Sequence, residues 1–148
     1  MIVQELLGAE NSKVVTVRPS ATLVEAAQVL TKHRIGALVV TDDDGRVAGI
    51  ISERDLTKAI GQYLTGLFDR HVSDVMTSTV VTCCSNDSIA EVLFLMQKNR
   101  VRHLPIVDGE DLVGIISIRD VTENWLEALE QENQQLRGAV GAELRRSA

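Results

Sequence analysis

The chain has 148 residues, which corresponds to one ordinary domain or to two small ones packed together. Its composition is 45% hydrophobic but only 3% aromatic, so aliphatic side chains must fill the core. A formal net charge of −6 argues against a general nucleic-acid binder, although a few local arginines would suffice for a nucleotide. The apolar runs are shorter than the roughly 18 residues of a membrane span, and the N-terminus lacks the basic region of a leader. We therefore expect a soluble, cytoplasmic protein without a membrane partner.

The first quarter of the chain predicts a helix, a strand and a second helix. Met1 to Leu7 has apolar residues at helical spacing before Gly8, and Lys13 to Val17 is a β-branched run that Pro19 terminates. Thr22 stands three residues before Glu25, which is the capping-box pattern of a helix start. The apolar stripe of that helix consists of Leu23, Ala26, Ala27 and Leu30.

A hairpin and a third helix follow. Ile35 to Thr41 is almost continuously apolar, which indicates a strand covered on both faces. Residues 42–45, Asp-Asp-Asp-Gly, predict a solvated hairpin turn, because a calcium loop would need more regular ligand spacing and a distant glutamate. Arg46 to Ile51 is the return strand, a helix runs from Ser52 or Glu53 to about Tyr63, and residues 62–70 read as a linker.

The chain then repeats itself. Gly-Ile-Ile-Ser-Glu-Arg-Asp at 49–55 returns as Gly-Ile-Ile-Ser-Ile-Arg-Asp at 114–120, and upstream segments match at an offset of 66. Each copy predicts the order β-α-β-β-α, and two copies this small should share one core. The second copy predicts a helical turn at 72–76, strands at 80–84, 103–107 and 112–116, and helices from Ser88 to Asn99 and from Ser117 onward. Pro105 suggests an edge or a strand start.

Cys83 and Cys84 are adjacent, a spacing that seldom allows an unstrained disulfide. The first interpretation is a buried small hydrophobe and its reduced neighbour, and the alternative is a redox switch.

The last helix continues past the repeat. Leu126, Leu129, Asn133, Leu136 and Val140 follow the spacing of a coiled-coil seam, with Asn133 at an a position. Dimerisation through this seam and an amphipathic helix folded back on its own domain remain open alternatives. Glycines at 138 and 141 predict fraying before the C-terminus.

These motifs together resemble a known family. The Val-Ser-Asp-Val-Met-Thr stretch at 72–77, Val-Arg-His-Leu-Pro-Ile at 101–106 and the two GxxSxRD stretches are similar to a tandem cystathionine-β-synthase (CBS) domain pair. The resemblance implies an α+β fold, a tandem pair of β-α-β-β-α motifs related by pseudo-two-fold symmetry with a C-terminal helical extension. The expected divisions are residues 1–66 with the N-terminal helix, 67–125, and a tail at 126–148.

The repeated stretch carries residues suited to an adenosine nucleotide. A carboxylate can accept hydrogen bonds from both ribose hydroxyls, which suits Asp55 and Asp120. Ser52 and Ser117, with backbone amides at the helix start, suit a phosphate or ribose oxygen, and the arginine of each stretch supplies counter-charge. Ser-x-x-Asp is also a helix-capping pattern, so these side chains could simply cap their helices.

The resemblance implies two clefts, each combining the first strand of one repeat with the GxxSxRD stretch of the other. One cleft would hold Thr16, Ile35, Gly36, Ala37, Ser117, Arg119 and Asp120. The other would hold Thr82, Val101, Arg102, His103, Ser52, Arg54 and Asp55. The second is richer in positive charge and is the one expected to take a phosphorylated ligand, although His103 also has a purely structural interpretation.

Such stand-alone pairs resemble energy sensors that bind AMP, ATP or NAD. We therefore expect a homodimeric regulatory module that signals nucleotide occupancy to a protein partner. The alternative is a structural or interaction module with degenerate clefts, whose acidic tail recruits a partner. The sequence shows no nucleophile elbow, P-loop or histidine-rich metal set, so no enzyme, catalytic cofactor or metal is expected.

Overall fold

The computed structural model describes residues 1–7 and 14–146, so Gly8 and Lys13 lie outside the described residues. The side chains of residue 132 and of residues 139–146 are also outside the description. In chain order the elements are α1 (Val3–Leu6), β1 (Thr16–Val17), α2 (Leu23–His33), β2 (Ala37–Thr41), β3 (Val47–Ser52), α3 (Glu53–Tyr63), a 3₁₀ helix (Leu64–Asp69), α4 (Val72–Val75), α5 (Ile89–Asn99), β4 (His103–Asp108), β5 (Asp111–Ser117) and α6 (Ile118–Arg146). No helix within the described ranges is long and apolar enough to cross a membrane.

The first repeat forms a three-stranded sheet in which β2 is central. It pairs with β1 in parallel and with β3 antiparallel, and all five of its residues are buried, as its apolar run predicts. The hairpin turn is held by Asp42, whose Oδ1 accepts hydrogen bonds from the backbone amides of Asp44 and Arg46 at 3.0 and 2.9 Å. Gly45 has φ +80°, which explains the glycine that ends the aspartate run.

The second repeat has the same order, but its first predicted strand is wrong. Residues 80–84 form only one parallel bridge, between Cys83 and Ile106, beside the antiparallel hairpin of β4 and β5. The Cys83 amide donates to the Pro105 carbonyl at 3.1 Å, and the Val107 amide donates to the Cys83 carbonyl at 2.8 Å. On the side toward residue 81 the next bond of this ladder would need an N–H on Pro105, which proline lacks. On the other side the Ser85 amide donates to Asp108 Oδ1 at 2.9 Å and not to the strand backbone. The ladder therefore stops after one bridge.

The predicted linker between the copies, residues 62–70, is structured, since most of it is the 3₁₀ helix Leu64–Asp69. Leu67 of this helix packs against the first core, and the guanidinium of Arg70, which follows the helix, lies 4.4 Å from the centre of the Tyr63 ring. At the other end of the chain α6 continues through Gly138 to Arg146 as one helix, and fraying of this end stays a prediction.

The two repeats do not share one core, contrary to prediction. Each has its own cluster of buried residues, and each cluster contains a helix that precedes the other repeat in the chain. Val3 of α1 is fully buried in the second cluster, and Val72 of α4 is fully buried in the first. Backbone hydrogen bonds fix both helices, including Val3 N to Asp87 O at 3.0 Å and Val72 N to Ala21 O at 2.8 Å. The repeats are therefore joined by exchanged helices.

Cys83 belongs to the second core and is buried, whereas Cys84 is exposed, and both are free thiols. Burial raises the pKa of the Cys83 thiol to about 12, and the neighbouring Asp87 carboxylate adds to the rise. The thiol is therefore protonated at neutral pH, which makes it a poor nucleophile. This supports the structural interpretation of Cys83 over a redox switch.

Gly49→Ala should destabilise the protein by about 1–3 kcal/mol, because overpacking forces neighbours to move. A Cβ at Gly49 would lie 2.5 Å from the Met76 sulfur and 3.0 Å from the Thr77 carbonyl oxygen, which is bonded to the Ile50 amide. Gly61→Ala in α3 is the matched control, since its Cβ would meet nothing within 4 Å and should add helix stability of about 0.5–1 kcal/mol. Urea denaturation measures both, and equal effects would contradict the packing explanation.

Candidate functional site

A cavity of about 310 Å³ opens where the start of α3 faces two segments of the second repeat, one that follows α4 and one that precedes β4. This volume lies within the range of small-molecule sites. Its wall has an apolar part, a set of hydroxyl and carboxylate groups, and a set of cations. The lining residues are Gly36, Ala37, Ile50, Ser52, Glu53, Arg54, Asp55, Lys58, Thr77, Thr79, Val80, Val81, Arg100, Val101, Arg102 and His103.

Asp55 is both a helix cap and part of the cavity wall. Its Oδ2 accepts hydrogen bonds from the Ser52 amide and the Ser52 hydroxyl, both at 2.8 Å, while Ser52 Oγ accepts from the Asp55 amide at 3.4 Å. Ser117 and Asp120 repeat this arrangement at 2.8, 2.6 and 3.2 Å. The capping interpretation is thus confirmed at both places. In the hydrogen bonds of the described residues capping uses only Oδ2 of Asp55, so Oδ1 can still accept from a ligand.

The start of α3 offers fewer amides than the sequence suggested. Ser52 N and Asp55 N are used by the capping box, and Glu53 N donates to the Gly36 carbonyl at 3.0 Å. In α6 the Ile118 amide is likewise bonded to the Arg102 carbonyl at 2.9 Å. Any phosphate in the cavity must therefore rely mainly on side-chain cations.

The structure brings together most of the residues predicted for the second cleft. Ser52, Arg54, Asp55, Val101, Arg102 and His103 all line the cavity. Thr82 does not, and the preceding Val80 and Val81 take its place. Gly36 and Ala37, which were assigned to the first cleft, line this cavity as well.

The remaining residues of the first cleft are not part of the cavity lining. They are Thr16 in β1, Ile35 between α2 and β2, and Ser117, Arg119 and Asp120 at the junction of β5 and α6. Gly36 lies beside a residue predicted for the second cleft, because a Cβ at Gly36 would be 3.4 Å from the His103 ring.

Sequence reasoning missed several polar residues of the cavity. Lys58 follows Arg54 by four residues, a helical spacing that puts both on one face of α3 and could have revealed it. Arg100 is the left-handed cap that ends α5, with φ 55°, and its place beside the cavity had no local signal. Thr77 and Thr79 come from the segment after α4, whose path is set by the bridge between Thr77 and Ile50 and by the close approach to Gly49.

The positive charge is a feature of the described cavity and is not repeated at the equivalent residues of the predicted first cleft. Arg54, Lys58, Arg100 and Arg102 outnumber the carboxylates of Glu53 and Asp55. In the alignment of the two repeats, Lys58 corresponds to Glu123, and Arg102 corresponds to Gly36. These other positions carry Arg34 and Arg119 against Glu123 and Asp120, so their formal charges cancel. An anionic ligand is therefore favoured in the described cavity.

His103 is half-buried between charged groups. Burial lowers the pKa of its imidazole, the Asp120 and Glu53 carboxylates oppose that shift, and the Arg102 guanidinium adds to it. The ring is therefore neutral at neutral pH and can act as both donor and acceptor at the cavity wall.

The lowered pKa of His103 predicts an acid-sensitive fold. Below about pH 6.5, the ordinary histidine value, the unfolded chain binds a proton that the folded chain resists, so the free energy of unfolding should fall as the pH drops toward the folded-state value. Urea denaturation between pH 7.5 and 5 should show a shallower slope for His103→Gln than for the wild type. His71→Gln, at an exposed histidine outside the cavity, serves as control, and identical slopes for all three proteins would contradict the assignment.

The chain belongs to the CBS domain family, whose pattern it matches over residues 3–62 and again over 72–127. It is 34% identical to the CBS domain-containing protein YhcV of Bacillus subtilis over 117 residues, covering 78% of this chain and 81% of the relative. It is also 42% identical over 109 residues to an inosine-5'-monophosphate dehydrogenase of Methanocaldococcus jannaschii, covering 73% of this chain but only 21% of that enzyme. That likeness therefore concerns a small part of the enzyme.

Solved structures with the same fold include a CBS-domain containing protein from Agrobacterium tumefaciens, with TM-score 0.79, 42% identity, and coverage of 84% of this chain and 98% of that one. A CBS domain protein from Pyrobaculum aerophilum, complexed with AMP, has TM-score 0.72 and 31% identity over 81% of this chain and 89% of its own. The CBS domain pair of protein MJ0100, in complex with 5'-methylthioadenosine and S-adenosyl-L-methionine, has TM-score 0.77 and 26% identity over 86% and 98%. The predicted fold class and family are confirmed.

Proposed function

We propose that this protein is a regulatory module that binds a phosphorylated adenosine nucleotide, of the AMP, ATP or NAD type, in the described cavity. The observation that carries the proposal is the combination, in one cavity, of the partly unused Asp55 carboxylate with four cationic side chains. The structural relatives bound to AMP, or to S-adenosyl-L-methionine and methylthioadenosine, support an adenosine ligand. The excess of cations supports the phosphorylated kind.

Each part of such a ligand has a matching part of the cavity. The flat base fits the apolar wall formed by Ile50, Val80, Val81 and Val101. The ribose hydroxyls donate to Asp55, as they do to the acidic residue of dinucleotide folds. The phosphates lie among Arg54, Lys58, Arg100 and Arg102, where charge-assisted hydrogen bonds are strongest.

Binding would report on the relative placement of the two repeats. Asp55 and Arg54 belong to the first repeat, whereas Arg100, Arg102 and His103 belong to the second. A nucleotide that contacts both groups stabilises the arrangement in which they face each other. This shift of population is the signal that a partner protein, still to be identified, would read. The expected cytoplasmic location and non-enzymatic role belong to the same proposal.

Calorimetric titration of the purified full chain tests the proposal. The ligands are AMP, ADP, ATP and NAD, with adenosine, methylthioadenosine and S-adenosyl-L-methionine for comparison. Phosphorylated ligands should bind more tightly than the three others, and their affinity should fall with added salt. Flat titrations with every ligand at millimolar concentration would instead favour the interaction module with degenerate clefts.

A further inference from the structure

The C-terminal half of α6 lies outside the family pattern, and none of its described side chains lines the cavity. The second matched region ends at residue 127, but α6 continues to Arg146 as a single helix. Its first turns are part of the domain, because Val121 is fully buried in the second core. The helix is therefore nucleated and anchored at one end, which removes much of the cost that makes an isolated short helix marginal.

The seam of this helix is exposed. Leu126 is 59% exposed, Leu129 47% and Leu136 60%. These values exclude the alternative in which this part of the helix folds back on its own domain. Three leucines at the spacing of a and d positions form an unpartnered apolar stripe, and a second copy of the same stripe would cover it.

The polar residues of the same stretch favour a parallel pair. Asn133 holds an a position, so a parallel arrangement sets it against Asn133 of the second copy, where the two amides can hydrogen-bond. An antiparallel arrangement sets it against a leucine and leaves the amide unsatisfied. The direction of the pair therefore rests on Asn133, whose amide finds a matching amide only in the parallel arrangement.

We infer that residues 126–137 of α6 form a parallel, two-stranded coiled coil with the same residues of a second copy of this chain. The inference does not depend on the nucleotide cavity, since Leu126, Leu129, Asn133 and Leu136 of the seam do not line it. In such a dimer both domains lie at the N-terminal end of the coiled coil. The two cavities are then related by the two-fold axis that runs along the coil.

Disulfide trapping tests both the contact and its direction. In a Cys84→Ser background, which leaves only the buried Cys83, single changes Leu129→Cys and Leu136→Cys are oxidised in the full chain. A parallel pair places each new thiol next to its counterpart in the second chain, at a distance that a disulfide can bridge. Both variants should therefore give covalent dimers. Gln135→Cys, at an exposed c position, is the control and should remain mostly monomeric under denaturing electrophoresis.

Two results would overturn the inference. A covalent dimer at one seam position only would indicate an antiparallel pair, and equal trapping at Gln135 and at the seam would indicate random collision. Trp125, the single tryptophan and 51% exposed beside the seam, gives an independent readout. Leu129→Asp should move its emission to longer wavelength and lower the mass or the association constant in sedimentation equilibrium, whereas Gln135→Asp should change neither. Unchanged emission and mass in Leu129→Asp would also overturn it.

Discussion

Asp55→Ala is expected to weaken binding of a phosphorylated adenosine nucleotide by roughly ten- to hundredfold. The reason is the loss of hydrogen bonds from the ribose to a charged acceptor, which contribute about 1.5–3 kcal/mol, where about 1.4 kcal/mol corresponds to tenfold in affinity. Capping occupies Oδ2 of this carboxylate and leaves Oδ1 for the ligand. Calorimetric titration of the variant with the nucleotide that binds the wild type most tightly measures the effect.

Asp120→Ala is the matched control for this variant. It removes a capping box with the same partners at nearly the same distances, but Asp120 is not part of the cavity lining. Both variants should lose helix-cap stability of about 1 kcal/mol, while only Asp55→Ala should lose affinity for the cavity. Equal affinities in the two variants would mean that Asp55 serves the cap alone, and the nucleotide proposal would lose its ribose contact.

The double variant Lys58→Glu with Arg102→Gly should reduce affinity for ATP by roughly a hundredfold or more. These changes give the cavity the residues that stand at the equivalent positions in the other repeat, where the formal charges cancel. Two charge-assisted contacts of about 1.5–3 kcal/mol each would be lost, and one cation would become a repelling anion. Solvent screening reduces this effect, so the measurement belongs at low ionic strength.

The control for the double variant changes the net charge of the protein by the same amount, but at residues outside the cavity. Lys32→Glu with Arg18→Gly alters residues outside the cavity lining, and it should leave ATP affinity nearly unchanged. Adenosine, which carries no phosphate, should bind the wild type and both double variants alike. If adenosine affinity falls together with ATP affinity, the cavity has been deformed and the loss is not electrostatic.

Much of the fold followed from local patterns because its signals are local. The turn at Asp42 to Gly45 and the capping boxes at Thr22 and Ser88 each depend on residues within four positions of one another. The exchange of α1 and α4 between the repeats could not be read in the same way. The burial of Val3 depends on Asp87 and its neighbours, more than 80 residues away, and no periodicity in α1 shows which core it enters.

The site was predictable where the repeat marks it. The GxxSxRD stretch identified Ser52, Arg54 and Asp55, which all line the cavity. The glycine of the stretch has a packing role that the motif does not reveal, because the group that lies close to Gly49 is the protein's own Met76-Thr77 segment. The assignment of Gly36 to the other cleft shows a similar limit. A repeat relates positions to each other, but it does not fix which side of the symmetry axis a residue near that axis faces.

The exchanged helices constrain how this duplication can change in evolution. In a simple tandem array one copy can be deleted and the other left intact. Here the loss of the first copy with its leading helix would remove Val3 from the survivor, and the loss of the second copy with its leading helix would remove Val72. Either deletion would expose apolar core residues of the remaining half to solvent. A single copy cut from this chain is therefore expected to be destabilised, which favours retention of the two halves together.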